Sequence, residues 1–140
     1  IEVIVVIGIF GILTSVCLIF GMDFFRTYTM ASEEISLVSV LSKARARSLA
    51  NYNQNEHGVR IANGEYVLFQ GDGPSLTWNS RETSLDESIP VGSSMSAGNH
   101  DIIFDQLSAA ATCSPDCSIE IGGFDASKNI TVNDQGAILW

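Results

Sequence analysis

Twenty consecutive residues near the beginning of the chain, residues 3–22, carry no charged side chain, and Glu2 stands immediately before them. A helix needs roughly 20 apolar residues to cross the hydrocarbon core of a bilayer, so this run is long enough to span a membrane. A carboxylate at the edge of such a run is costly to keep away from water, which favours a functional reason for its presence. The run therefore predicts a membrane-spanning helix that begins next to a functional acid.

The uncharged run has two other interpretations. A secretory signal peptide normally begins with Lys or Arg, has an apolar region of about 7–15 residues and ends at a small-residue cleavage site. Residues 3–22 exceed that length, and residues 20–25 continue into a helical pattern without such a site, so we expect the segment to be retained. A simple anchor on an unrelated domain explains the length of the run, but it explains neither Glu2 nor the continuing helix.

The helical pattern continues beyond the uncharged run to about Tyr52, which predicts a rod of roughly 75–80 Å. Two neighbouring stripes of apolar residues step by three or four, and such stripes normally pack against a sheet. We expect both in the core: Phe24, Tyr28, Ala31, Ile35 and Val38 form the first, and Leu37, Leu41, Ala44, Leu49 and Tyr52 the second. The basic cluster on the same helix is interpreted as a solvated face or a subunit contact; it comprises Lys43, Arg45 and Arg47.

After Tyr52 the pattern becomes β-rich, and its clearest signals are two hairpin turns at Asn63-Gly64 and at residues 133–136. We expect seven or so short strands, centred on residues 59–61, 66–69, 89–91, 101–104, 118–121, 130–132 and 137–140, with a break at residues 71–74 before residues 76–78. A long helix packed on an antiparallel sheet makes an α+β fold. The predicted organisation is a hydrophobic segment at 1–22, its amphipathic continuation at 23–53 and a β-rich head at 54–140.

The charge distribution and the motifs argue against several functions. The net charge of −9 lies entirely in residues 53–140, where twelve acids accompany three bases. Nucleic-acid binding needs clustered Lys and Arg, so we expect the head not to bind nucleic acid. There is no nucleophile elbow, phosphate loop or pair of His ligands, so we expect no enzyme activity, no cofactor and no metal. The single Asp of residues 70–73 is no Ca²⁺ cage, and the glycosylation triplet at Asn129 is common by chance.

The opening residues, Ile-Glu-Val-Ile-Val-Val-Ile-Gly-Ile-Phe-Gly-Ile-Leu, resemble the N-terminal segment of type IV pilins and of the pseudopilins of type II secretion. The resemblance is specific over residues 1–25. Residues 44–50 and 59–61, and the closing strand-turn-strand with Gly136, are similar to minor pseudopilins of the H type and related minor pilins. In these families a peptidase removes a basic leader and methylates the new first residue, and the glutamate lies four residues after it. Three more mature residues are therefore expected before Ile1.

The resemblance implies a pilin-like fold and a structural function. The favoured function is that of a pilin in an extracellular type IV pilus, serving adhesion, motility or DNA uptake. The alternative is a pseudopilin of a type II secretion pseudopilus, and a monomeric membrane-anchored binding protein is a third class. The implied partners are further copies in a helical filament, the inner membrane before assembly, and the pilus or secretion assembly platform. The expected location is the inner (cytoplasmic) membrane for the single-pass precursor and then the cell surface.

Within this resemblance Glu2 is the assembly residue. Apolar packing is non-directional, whereas a carboxylate paired with the N-terminal amine of an adjacent subunit selects one axial offset, and the pair is favoured over either charge buried alone. The alternative role is a favourable charge at the positive helix end, worth about 0.3–1 kcal/mol. Many relatives have a proline near the end of the apolar run, but this chain has none before Pro74. Gly8, Gly11 and Gly21 are therefore the candidates for helix flexibility, since each weakens a helix by about 1 kcal/mol relative to alanine.

The three cysteines have different expected roles. Cys17 lies in the uncharged run, where a thiol behaves as a small hydrophobe. Cys113 and Cys117 flank a three-residue turn, and an exported head lies in an oxidising compartment, so a disulfide is favoured over free thiols or a metal site. A metal would need two more ligands, and His57 and His100 lie far from this turn in sequence.

Overall fold

The computed structural model describes residues 2–62, 64–71, 76–91, 96–123 and 126–140, with the backbone alone for residues 18–23, 96 and 126. Within these residues one long helix packs on antiparallel sheets. The predicted α+β class is confirmed at this level. In the same part of the chain, no helix combines the length and the apolar character that a membrane span requires.

The helix α1 (Glu2–Leu49) runs over 48 residues. Asn51 follows it in a left-handed conformation, with φ 54°, and asparagine tolerates this geometry just after a helix. The N–H of Asn51 donates to the Ser48 carbonyl at 3.1 Å and closes the last turn. A short 3-10 helix (Tyr52–Gln54) follows, so the helix ends slightly before the predicted end at about Tyr52.

Nine strands form the head within the described residues. In chain order they are β1 (His57–Ala62), β2 (Glu65–Gln70), β3 (Glu87–Pro90), β4 (Ser96–Ala97), β5 (His100–Phe104), β6 (Ala111–Ser114), β7 (Ser118–Gly123), β8 (Ala126–Val132) and β9 (Ile138–Leu139). One sheet has the order β3-β2-β1-β5-β6 and the other β4-β7-β8-β9, and neighbouring strands are antiparallel throughout. The head therefore has two sheets, where the sequence predicts one.

Both predicted hairpins are present. β1 pairs with β2 up to Ala62 opposite Glu65, and Gly64 supplies a positive φ of 77° at the turn; its predecessor Asn63 lies outside the described residues. β8 pairs with β9, and Gly136 closes that turn with φ 72°. A Cβ on Gly136 would overlap the carbonyl of Ala109, so this position requires glycine for its conformation and for space.

The segment that follows the predicted break at residues 71–74 is not a strand. Trp78–Ser80 is a 3-10 helix, and a capping box precedes it in which Thr77 and Ser80 each accept the other's backbone N–H through their hydroxyl oxygens. Such side-chain bonds give the backbone an alternative to a sheet ladder. The strands β4 and β6 are the reverse case, since the sequence pattern predicts neither. The predicted break at residues 71–74 includes residues 72–74, which lie outside the described residues.

The core lies between one face of α1 and the inner faces of the sheets. The helix contributes Met30, Leu37, Val40, Leu41 and Ala44, all buried. They belong to one apolar cluster with buried strand residues from both sheets: Val59, Ile61, Tyr66, Leu68, Ile102, Phe104, Ile119, Ile121, Ile130 and Val132. On β7 the buried isoleucines alternate with exposed residues, which is the period of a strand with one face in water.

The helix buries only one of the two faces that the sequence predicts to be core. Phe24, Tyr28 and Ile35 are 74%, 67% and 67% exposed, so the first stripe is wrong for these three residues, although Val38 at its end packs against the core. Leu37, Leu41 and Ala44 are fully buried and confirm the middle of the second stripe, although Leu49 and Tyr52 at its end are exposed. Ile35 and Leu37 are about 200° apart around a helix axis, so one sheet surface cannot cover both.

Ser48 connects the end of α1 to the first sheet. Its hydroxyl donates to the Phe104 carbonyl at 2.9 Å and accepts the backbone N–H of His57 at 3.2 Å. Its carbonyl accepts the N–H of Leu107 at 3.0 Å. Because Ser48 is fully buried, these bonds replace the water it would otherwise bind. A single residue thus sets the distance from the helix end to β1, β5 and the loop after β5.

The predicted disulfide is present. Cys113 and Cys117 are bonded, with Cα atoms 5.2 Å apart. Cys113 belongs to β6 in the first sheet, and Cys117 directly precedes β7 in the second. The bond therefore fastens the two sheets together across the turn at residues 114–116.

Candidate assembly surface

The first part of α1 makes no buried contact with the head. Residues 2–17 are exposed on every side of the helix, and Met30 is the first buried residue among those whose side chains are described. A helix that is apolar all round is normally buried in a core, a larger assembly or a membrane. Among the residues whose side chains are described, residues 2–17 therefore form an extended apolar surface that the head does not cover.

Glu2, the residue predicted to act in assembly, lies in this segment, as do Gly8 and Gly11, two of the three glycines predicted to give flexibility. Glu2 is exposed in the first turn of α1, where the helix dipole favours a negative charge. A Cβ placed on Gly8 or Gly11 would meet nothing within 4 Å, so packing inside the chain does not require glycine there. Gly21 is helical as well. The helix α1 is continuous through all three glycines. Their flexibility in an assembly stays a prediction.

Beyond residue 24, α1 presents an exposed face without a single charge. We name it the outer face: Tyr28, Ser32, Ile35, Ser39, Ser42, Ala46 and Leu49. These residues step by four and three along the helix, so they lie on one side of it. Between Met30 and Leu49 every exposed residue belongs to this face. A solvated helix face normally carries charged residues, and this one carries serine, alanine and large apolar side chains instead.

The charged residues of α1 beyond residue 24 lie beside the outer face or on the side of the helix that packs against the head. Lys43 and Arg47 both pair with Glu87 of β3, the Arg47 Nη2 at 3.2 Å from its carboxylate. The hydrogen bond from Lys43 is the largest cause of a lowered pKa for the Glu87 carboxyl. On the buried side, Glu34 lies 3.3 Å from Lys128 of β8. Lys43 and Arg47 thus pair with the head from half-buried positions, a contact that their interpretation as a solvated face or a subunit contact does not include.

Two buried titratable groups lie behind this region. His57 is fully buried at the end of α1, and burial lowers the pKa of its imidazole, with the charge of Arg47 acting in the same direction. Tyr66 is buried on β2, and burial, followed by the nearby carboxylate of Glu33, raises the pKa of its phenol to about 12. Both shifts favour the neutral form, so these residues serve the fold as uncharged core.

A solvent-open groove of about 430 Å³ lies on the outer side of the first sheet. Its wall is Trp78, whose ring lies 4.0 Å from the guanidinium carbon of Arg60 and 3.4 Å from that of Arg81. Arg60 is bonded to both carboxylate oxygens of Asp101 at 2.5 Å, and Arg81 to Asp86 at 2.8 Å. Each of the two arginine charges beside Trp78 is therefore paired with a carboxylate, and these contacts stabilise the segment that carries Trp78.

A second groove, of about 450 Å³, lies on the outer side of the second sheet. It contains His100, Asp116 and Glu120, and the Nδ1 atom of His100 lies 3.7 Å from a carboxylate oxygen of Asp116. Within the described residues, no three His, Cys, Asp or Glu side chains are grouped so that they could hold a metal ion.

The outer face is a candidate surface that the sequence pattern does not predict. Its large members Tyr28 and Ile35 match the helical period, and that period alone assigns them to the core. The signal that identifies the face is the absence of charge at each position of a four-three repeat from Tyr28 to Leu49, while the charges sit at the positions between.

Comparisons with known proteins do not assign a function to this surface. The chain matched no protein-family model, no curated protein and no solved structure.

Proposed function

We propose that the protein is a structural subunit of an extracellular filament of the type IV pilus kind, assembled through α1. The observation that carries this proposal is the outer face, which is exposed, uncharged and on the same helix as the exposed apolar segment at residues 2–17. The resemblance of residues 1–25 to pilins and pseudopilins supports the same function.

Side-by-side packing of several α1 helices suits these surfaces. It removes Tyr28, Ile35 and the apolar residues before them from water, at about 25 cal/mol for each Å² buried. It buries no charge on the outer face, and so avoids the large cost of desolvating one. The serines and the alanine between the larger residues allow close approach of helices. The serine hydroxyls can donate to backbone carbonyls, as the Thr29 hydroxyl donates to the Phe25 carbonyl at 2.9 Å within α1.

Glu2 supplies the axial register that apolar packing lacks. Its carboxylate is exposed at the first turn of α1, with no ionic partner among the described residues. In a bundle of helices it would be removed from water, and pairing with the N-terminal amine of a neighbouring subunit would then satisfy both charges. Before assembly, residues 3–22 would reside in the inner membrane; this step rests on the uncharged run in the sequence.

The proposal predicts that Glu2→Ala prevents filament formation. Removing one member of a buried pair costs about 3–5 kcal/mol, and this cost recurs at each added subunit. Glu2→Asp should be intermediate, because it keeps the charge and shortens its reach. Each variant is expressed as the full chain in the native host, filaments are sheared from the cells, and their yield is compared with the membrane pool.

Glu120→Ala is the matched control, because it removes one exposed carboxylate from the head and should leave the yield unchanged. Normal filament numbers for Glu2→Ala would reduce Glu2 to a helix-end charge and remove the register mechanism. Filament length separates the two assembly classes: long surface filaments support a pilin. Short filaments seen only on overproduction, with loss of exoprotein secretion in the deletion strain, support the pseudopilin alternative.

A further inference from the structure

Leu107 combines two unfavourable features on the surface of the head. It adopts a left-handed backbone conformation, with φ 66°, and its side chain is 64% exposed. A residue with a Cβ costs roughly 1–2 kcal/mol in this conformation, whereas glycine and asparagine adopt it readily. Stability of the head alone therefore gives no reason for leucine here, and strained positions of this kind often serve binding.

The surrounding loop fixes Leu107 in this position. Its N–H donates to the Ser48 carbonyl at the end of α1, and the Ala109 N–H and the Asp105 carbonyl close the loop with a bond of 2.8 Å. The side chain of Gln106 donates to the side chain of Asn51. Asn51 and Ala109 are left-handed too, and the hydrogen bonds from Leu107 and Gln106 join the loop to the helix end. Leu107 is thus presented as a fixed apolar knob.

The charges of the molecule limit what a second copy can bring to this knob. Within the described residues, ion pairs inside the chain already use the charges of Lys43, Arg47, Arg60, Arg81 and Lys128. Heads with a net charge of −9 repel one another, so close contact between copies is confined to uncharged surfaces. In the described residues the outer face of α1 is such a surface, and Leu107 is another.

We propose that Leu107 docks on the outer face of α1 of a second copy, in the stretch around Ile35, Ser39 and Ser42. Leu107 cannot reach this stretch of its own helix, because its backbone is bonded to Ser48 at the helix end, and Ser39 is about 13 Å further back along the axis. The contact joins two different surfaces of the same molecule, and a head-to-tail contact of this type generates an open helical assembly. The inference rests on the proposed filament function and names a contact within it.

The test is Leu107→Asn in the full chain, expressed in the native host. Asparagine relieves the backbone and removes the apolar knob, so the Tm of the detergent-solubilised protein should stay level or rise by about 4 °C. Filament yield should fall about tenfold or more, because every subunit then joins the filament without burying this leucine side chain. Leu85→Asn is the matched control, because Leu85 is also exposed on the head and should leave the yield unchanged.

A cross-link identifies the partner surface. Filaments carrying Leu107→Cys with Ser39→Cys should yield a ladder of disulfide-linked multimers without reductant, and Leu85→Cys with Ser39→Cys should not. If Leu107→Asn lowers the Tm, its filament yield does not test the contact. In that case the filament yield of Leu107→Gly and the presence of the cross-linked ladder test it. A missing ladder, or normal yield for Leu107→Asn while Glu2→Ala abolishes filaments, overturns the contact and leaves the filament function intact. Absence of any filament from the wild type overturns the proposed function and this contact with it.

Discussion

At the scale of single residues, burial decides the chemistry of His57. The imidazole is fully buried between the end of α1 and the first sheet, with the ring of Tyr52 at a centroid distance of 6.0 Å. Burial and the charge of Arg47 lower its pKa below 6.5, against smaller opposing effects from Asn55 and Gln70. Since the unfolded chain binds a proton at this site more readily than the folded one, acid should weaken the protein here.

We predict that His57→Leu reduces this loss of stability in acid. Well above pH 6.5 the histidine is neutral in both states. As the pH falls through 6.5 only the unfolded chain gains the proton, and stability falls until the pH passes the lower folded pKa. The slope is at most about 1.4 kcal/mol per pH unit. Thermal unfolding between about pH 8 and pH 5 should show the smaller slope for His57→Leu. An identical slope in wild type and variant would assign the acid sensitivity to groups other than His57.

At the scale of elements, the sequence pattern predicts which helices and strands form better than it predicts which of them pack together. The long helix, both closing hairpins and the alternating strand β7 follow from local pattern and turn residues, because these signals act within a few residues. The choice of buried helix face does not follow, since Tyr28 and Leu37 fit a helical stripe equally well and only the docking of the sheets selects one. The division into two sheets is equally non-local, and the short strands β4 and β6 form because β7 and β5 lie beside them.

The disulfide between the sheets carries the prediction at this scale. The double variant Cys113→Ala/Cys117→Ala should lose about 2 kcal/mol of unfolding free energy, the amount expected for a loop of about five residues. The two elements joined are β6 and the start of β7, so hydrogen exchange should increase most in these strands and least in β1 and β2. Uniform destabilisation across both sheets would show that the bond does not act as a local fastening. Reduction of the wild type provides the matched comparison without a substitution.

At the scale of the whole molecule, charge and apolar surface are separated along one axis. The first 52 residues are neutral and the remainder carries −9, while the exposed apolar residues concentrate on α1. In a filament of the proposed kind, attraction would lie at the centre and repulsion between heads at the periphery. This balance makes assembly dependent on ionic strength, because exposed charges interact over the screening length.

We predict that low salt weakens the filaments. Lowering NaCl from about 150 mM to about 10 mM extends the screening length from about 8 Å to about 30 Å, so that neighbouring heads repel more strongly. Sheared filaments dialysed to low salt should shorten or release subunits, as measured by sedimentation and electron microscopy. Sucrose at equal osmolarity should not restore them, whereas NaCl should. Longer or more numerous filaments at low salt would mean that attractive ion pairs between copies, rather than head repulsion, dominate the balance.

The attachment of the head to one end of α1 has a mechanical consequence. Buried contacts begin at Met30 and end at Ser48, so a pull on the free part of the helix loads the head in shear along this stretch. The load then passes from Ser48 into β1 and β5 through its two side-chain bonds, and from Lys43 and Arg47 into β3 through Glu87. Bonds that are loaded together in shear share the force. A head that is attached to its helix over several turns therefore detaches at a higher pulling force than a head attached at a single point.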